Sequence, residues 1–134
     1  MATSSVEFQS KLRTVCVHLD SSAQITTSAP KDNNGDGLGF SPTDMLATSL
    51  ASCMLTIVGI RAEKSAMNFI GGKALVTKHM EAHPRRVAQI DVELTLEGDL
   101  SEKDKVILTE AALQCPVAKS LHPDVNQNVQ IVFS

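Results

Sequence analysis

With 134 residues, a net charge of −3 and neither Trp nor Tyr, the chain has single-domain length and needs no disulfide to bury a core. It carries neither the basic stripe nor the stacking aromatics that nucleic acid requires. Three cysteines, Cys16, Cys53 and Cys115, are too few for a secreted disulfide framework and include no close pair of the zinc-site kind.

The N-terminal stretch MATSSVEFQSKLR has no basic segment leading into an apolar run, so no signal peptide is read and a reducing, cytoplasmic setting is expected. Residues 1–5 read as loose. From Val6 to Leu19 the pattern is strand-like, with Val15, Val17 and Leu19 on one face and Cys16 and His18 on the other. DSSA then turns the chain, and Gln24 to Thr27 return antiparallel. Cys16 and His18 read as sheet-face residues. The loop SAPKDNNGDGLGF follows, rich in breakers. Asp32, Asn34, Asp36 and Gly37 match four positions of a calcium loop, but its last position holds Thr43 where a bidentate Glu is needed. No helix precedes the loop, and calcium is not expected.

Ser41 to Lys64, SPTDMLATSLASCMLTIVGIRAEK, reads as a helix. Ser41 supplies an N-cap, Pro42 suits the first helical position, and Asp44 completes an S-x-x-D capping box. The 16 residues from Met45 to Ile60 are uncharged and apolar on every side, which predicts a helix buried in a core. That run is shorter than the roughly 20 residues that cross a bilayer, so no membrane is expected. Cys53 lies halfway along it.

Gly71 and Gly72 read as a turn into a hairpin, Lys73 to Glu81 paired with Arg86 to Glu97 across AHPRR. In its second strand Ile90, Val92, Leu94 and Leu96 alternate with polar residues, giving one buried face. His79 and His83 are separated by roughly 13 Å in an extended strand and cannot share a metal there. With Arg85 and Arg86 they read as a solvated tip. Ser101 and Asp104 form a second capping box, opening a helix whose apolar face is read as Val106, Ile107, Ala111 and Leu113. Pro116 ends it, a short turn PVAKSL follows, and NVQIVF closes the chain with Val129, Ile131 and Phe133 on one face. The order β-β-loop-α-β-β-α-β predicts one α+β domain over residues 1–134 with a mostly antiparallel sheet. No internal repeat or linker is evident.

Cys115 precedes Pro116 and so takes the N-cap of the short helix after it, where free amides favour a thiolate. Cys53, mid-helix in an apolar run, has no such help, and burial alone raises a thiol pKa. By these arguments Cys115 is the more reactive sulfur. The residues alone leave open whether both thiols are inert core residues.

The helix SPTDMLATSLASCMLTIVGIRAEK followed by CPVAKSLHPDV resembles the OsmC/Ohr family of osmotically inducible and organic-hydroperoxide-resistance proteins, and the resemblance covers nearly the whole chain. It implies an interlocked homodimer, with antiparallel sheets wrapped around long buried central helices. It further implies a thiol peroxidase acting on organic hydroperoxides without metal or bound cofactor, regenerated by a small dithiol or a redox protein. Cys53 would then be the peroxidatic thiolate and Cys115 the resolving thiol, which reverses the ranking by N-cap position. In the family's peroxidases a Glu lies ten residues before the first cysteine and pairs with an Arg from the first hairpin turn. Thr43 takes that position here, with Asp44 next to it; DSSA has no Arg, and Arg13 is the nearest candidate.

Asp44 precedes Cys53 by nine residues, which in a helix places it on the opposite side and roughly 13 Å away. A second copy with its helix antiparallel would bring Asp44 and Arg13 of one chain toward Cys53 of the other. A non-catalytic dimer that binds a hydrophobic molecule, or senses oxidants through the same thiols, is the alternative. Met45, Leu46, Met54 and Leu55 would favour apolar peroxides in the first case.

Overall fold

The computed structural model describes residues 1–134 and divides into two compact units, Met1–Leu46 and Ala47–Ser134. In the first, β1 (Ser4–Gln9), β2 (Arg13–His18) and β3 (Gln24–Ser28) form an antiparallel sheet in that order, with Cys16 between Val6 and Ile25. The single strand expected over Val6 to Leu19 is therefore two. Lys11 and Leu12 turn the chain between them at φ 62° and 58°, a conformation normally signalled by Gly or Asn and here carried by residues that give no such signal. Nor are residues 1–5 all loose, since Ser4 and Ser5 already pair with His18 and Val17.

The loop beyond β3 is held by its own backbone. Gly35 sits where a Cβ would lie 1.8 Å from the carbonyl oxygen of Ala29, so only glycine fits, and the Gly37 N–H donates to that same oxygen at 3.2 Å. The loop ends at buried Ser41, whose Oγ accepts the Asp44 N–H at 3.0 Å while the Asp44 carboxylate accepts the Ser41 N–H at 2.9 Å. This is the expected capping box, and α1 (Pro42–Lys64) starts from it.

Most of α1 belongs to the second unit, with β4 (Asn68–Glu81), β5 (Arg86–Asp99), α2 (Glu102–Leu113), α3 (Pro116–Ser120) and β6 (Asn126–Phe133). The helix ends as Ala66 takes a positive φ of 50° and the Met67 N–H returns to the Ala62 carbonyl at 2.9 Å. Gly71 and Gly72 make no turn. They lie within β4, beside a register shift between Phe69 and Gly71, and a Cβ on Gly72 would stand 2.7 Å from the Thr95 carbonyl oxygen. Glycine here marks a bulge and a close backbone approach.

The sheet order is β4-β5-β6. The first pair is antiparallel and the second parallel, a relation that requires a crossover, supplied by α2 and α3. Ile90, Val92, Leu94 and Leu96 of β5 are all buried, as their alternation predicts. They join a stripe of α1 (Ala47, Leu50, Ala51, Met54, Val58 and Ala62) in one core. The stripe recurs every three or four residues and covers only one side of the helix. Within one chain α1 is thus not buried all round: Leu46 and Ile60 are exposed. By length and apolarity α1 could cross a membrane; here its buried stripe packs into a core.

The capping box of α2 forms as expected between Ser101 and Asp104. Its buried face differs from the one read above. Leu108 and Ala112 are 0% exposed, whereas Val106 and Leu113 are 58% and 45% exposed. The buried stripe Leu108, Ala112, Cys115 steps by four and then three residues, a regular helical spacing, and packing selected it.

Candidate active site

Cys53 projects from the middle of α1, partly buried and packed against the core. Cys115 stands between α2 and α3, fully buried. The two sulfurs, 62 positions apart in the chain, are near enough for Cys53 to act on the ionisation of Cys115, and both are free thiols. The local reason for the position of Cys115 is the one its sequence predicts: with Pro116 at the first helical position it caps α3, and its Sγ accepts the Ala118 N–H at 3.4 Å.

The electrostatic outcome differs from the N-cap expectation. Burial, the largest influence, pushes the Cys115 thiol up; the Ala118 N–H pulls down less strongly, and the neighbouring Cys53 adds a further upward push. Five residues of helix offer little dipole, and a thiolate loses more by leaving water than one amide returns. The N-cap position of Cys115 therefore does not bring the low pKa that it suggests.

Arg13 and Asp44, the other residues singled out from the sequence, lie in the N-terminal unit. Arg13, at the start of β2, donates through Nη2 to Oδ2 of Asp36 at 2.7 Å and lines a cleft of about 580 Å³ with Gln9, Thr14, Thr26, Ser28 and Leu38. The Leu38 N–H and then the Arg13 guanidinium hold the Asp36 carboxyl below its usual range. Asp44 closes the capping box of α1. Asp36 is the residue that sequence reading missed, having been considered only as a calcium-loop position; its flanking glycines, Gly35 and Gly37, were the available signal of a built loop. His79 donates through Nε2 to Oδ2 of Asp91 at 2.7 Å across the β4–β5 hairpin, and no group of three or more His, Cys, Asp or Glu is arranged to hold a metal ion.

The profile of the OsmC-like protein family matches residues 35–130, which include both cysteines. The chain belongs to this family. No curated protein matches it. Among solved structures, a protein of Psychrobacter arcticus 273-4, named for a proposed role in osmotic stress and detoxification response, is 52% identical. That match covers 98% of this chain and 96% of the other, with a TM-score of 0.92. The fold is shared with an OsmC-like protein of Mycoplasma pneumoniae at 19% identity, 97% and 94% coverage and a TM-score of 0.80. It is also shared with the organic hydroperoxide resistance protein of Bacillus subtilis, at 18% identity, 97% and 98% coverage and a TM-score of 0.64. Organic hydroperoxide resistance proteins and redox proteins thus stand among the structural neighbours of this OsmC-like chain.

Proposed function

We propose that this OsmC-like protein is a thiol peroxidase that reduces organic hydroperoxides in oxidative stress defence. The observation that supports this reading is that a partly exposed thiol, Cys53, bears on the ionisation of a buried one, Cys115. The Cys53 thiolate attacks the peroxide oxygen, the O–O bond breaks, and the alcohol leaves with a proton as Cys53 becomes a sulfenic acid. Cys115 then attacks the Cys53 sulfur, water departs, and a Cys53–Cys115 disulfide forms. A small dithiol or a redox protein restores both thiols. The core side chains beside Cys53, Met54 and Leu55 among them, suit an apolar peroxide.

The working form in this proposal is a cytoplasmic homodimer. Support comes from the apolar side of α1 that one chain leaves open, Leu46 and Ile60 included, and from the exposed Val6, Phe8 and Ile25 on one face of the N-terminal sheet. Arg13 is assigned to help keep Cys53 ionised, and Asp44 to join it from the helix start; a nearby cation can lower a thiol pKa by one to several units. Consumption of cumene hydroperoxide with dithiothreitol or dihydrolipoamide tests the reading. Turnover should vanish in Cys53→Ser, while Cys115→Ser should complete one oxidation and hold a sulfenic acid that dimedone traps. Dimedone labelling of Cys115 in the Cys53→Ser protein would reverse the two roles.

The raised pKa of Cys115 favours one alternative, since it slows resolution. A thiol sensor, or a dimer binding an apolar ligand, would consume oxidant stoichiometrically and stop.

A further inference from the structure

We infer that the two sulfurs of the oxidised protein are not equivalent to a reductant: an incoming dithiol attacks Cys53, and Cys115 is the sulfur that leaves. The inference rests on the disulfide couple proposed above, and concerns how that couple is reopened.

Thiol–disulfide exchange proceeds in line, the attacking sulfur approaching one disulfide sulfur from the side opposite the other. Whichever sulfur is attacked must therefore be reachable from outside. Cys115 is 0% exposed, and its backbone is tied on both sides. Its N–H donates to the Ala112 carbonyl at 3.3 Å, and its carbonyl accepts the Lys119 N–H at 3.1 Å. Its Sγ already accepts the Ala118 N–H at 3.4 Å. Exposing it means breaking the first turn of α3. Cys115 is closed off by its own chain, whereas that chain leaves Cys53 partly open at the margin of the α1 stripe, between buried Met54 and exposed Ser52.

Acidity acts in the other direction, since a buried leaving thiolate is less stable than a solvated one. Exclusion from solvent is the stronger constraint. Cys115 also keeps a fixed donor, the Ala118 N–H, to receive the charge as it leaves.

The first reductant thiolate bonds to Cys53, the Cys53–Cys115 bond breaks, and Cys115 departs with the electron pair and takes up a proton. The reductant's second thiolate then attacks its own sulfur in the mixed disulfide, closing a cyclic disulfide and releasing the Cys53 thiolate. Two electrons pass from the dithiol to the protein; of the dithiol's two protons, one is matched by the proton taken up at Cys115 and the other goes to solvent. A monothiol has no second sulfur for ring closure, so its first attack leaves an adduct on Cys53 that persists until a second thiol molecule attacks it, and the early adduct reports the sulfur first attacked.

The test oxidises the full-length protein with diamide in place of peroxide, so that its outcome does not depend on peroxidase turnover. The disulfide is treated with 2-mercaptoethanol, quenched with N-ethylmaleimide, and mapped by peptide mass. The mercaptoethanol adduct is expected on Cys53 and the maleimide on Cys115, at least tenfold over the reverse. In urea, where the burial of Cys115 is gone, the preference should fall to about twofold or less. An adduct mainly on Cys115, equal adducts in the folded protein, a preference that persists in urea, or failure of diamide to join the two cysteines would each overturn the inference. Cys16 is followed separately by its own peptide. In a Cys16→Ser background, 5,5′-dithiobis(2-nitrobenzoate) should label the Cys115→Ser protein at least tenfold faster than the Cys53→Ser protein; equal rates count against it.

Discussion

Nη2 of Arg13 donates to Oδ2 of Asp36 over 2.7 Å, while Oδ1 of the same carboxylate accepts the Leu38 N–H at 3.0 Å. One acid thus joins the start of β2 to the glycine-containing loop, and both of its bonds favour the ionised form. Titration followed by NMR should place the Asp36 carboxyl below the ordinary value of about 3.9. Arg13→Gln should raise it only part of the way, because the Leu38 N–H, the larger cause, stays in place. A depressed folded pKa contributes stability above the unfolded pKa that is lost as pH falls through the folded one. The difference between Asp36→Asn and wild type should therefore begin to shrink below about pH 4 and vanish only below the depressed folded pKa. An unshifted Asp36 would show that the loop does not hold this bond in solution.

Cys115 has the opposite sign. Its folded pKa is raised, chiefly by burial, so its contribution to stability is complete below the unfolded value of about 8.5 and is lost as pH rises through the folded value. The thermal midpoint of wild type should fall above about pH 8.5, and Cys115→Ala should flatten that decline while costing roughly 1–2 kcal/mol at neutral pH. Thermal melts from pH 6 to 10 check this; identical slopes for the two proteins would contradict it.

Only one face of α2 is buried, and stability can report which. Leu108→Ala, at a fully buried position, should cost about 3–4 kcal/mol. Leu113→Ala, at a position 45% exposed, should cost less than about 1 kcal/mol. Urea denaturation of the two variants decides between this face and the one read from the sequence pattern.

For the proposed dimer, sedimentation at micromolar concentration should give twice the chain mass of 14.3 kDa. Ile60→Glu, on the open side of α1, should weaken association with little effect on the fold of the chain. A stable wild-type monomer would remove the dimer from the functional reading.

What the sequence determined by itself was local. Both capping boxes, Ser41 with Asp44 and Ser101 with Asp104, form because each needs only a side chain and an amide three residues away. Cys115 caps α3 for the same reason, and β5 alternates as written because the pleat has a period of two. The α+β class follows from these elements. What only tertiary structure decided were choices between locally equal options. Lys11 and Leu12 accept positive φ without a glycine, Gly71 and Gly72 extend where a turn was equally compatible, and α2 buries Leu108 in preference to Leu113. The thiols belong to this second class. Their proximity came from family resemblance, since no local pattern joins positions 53 and 115. Whether Cys115 gains from an amide or loses by burial depends on how much water remains around its sulfur, and the packing of the fold sets that quantity.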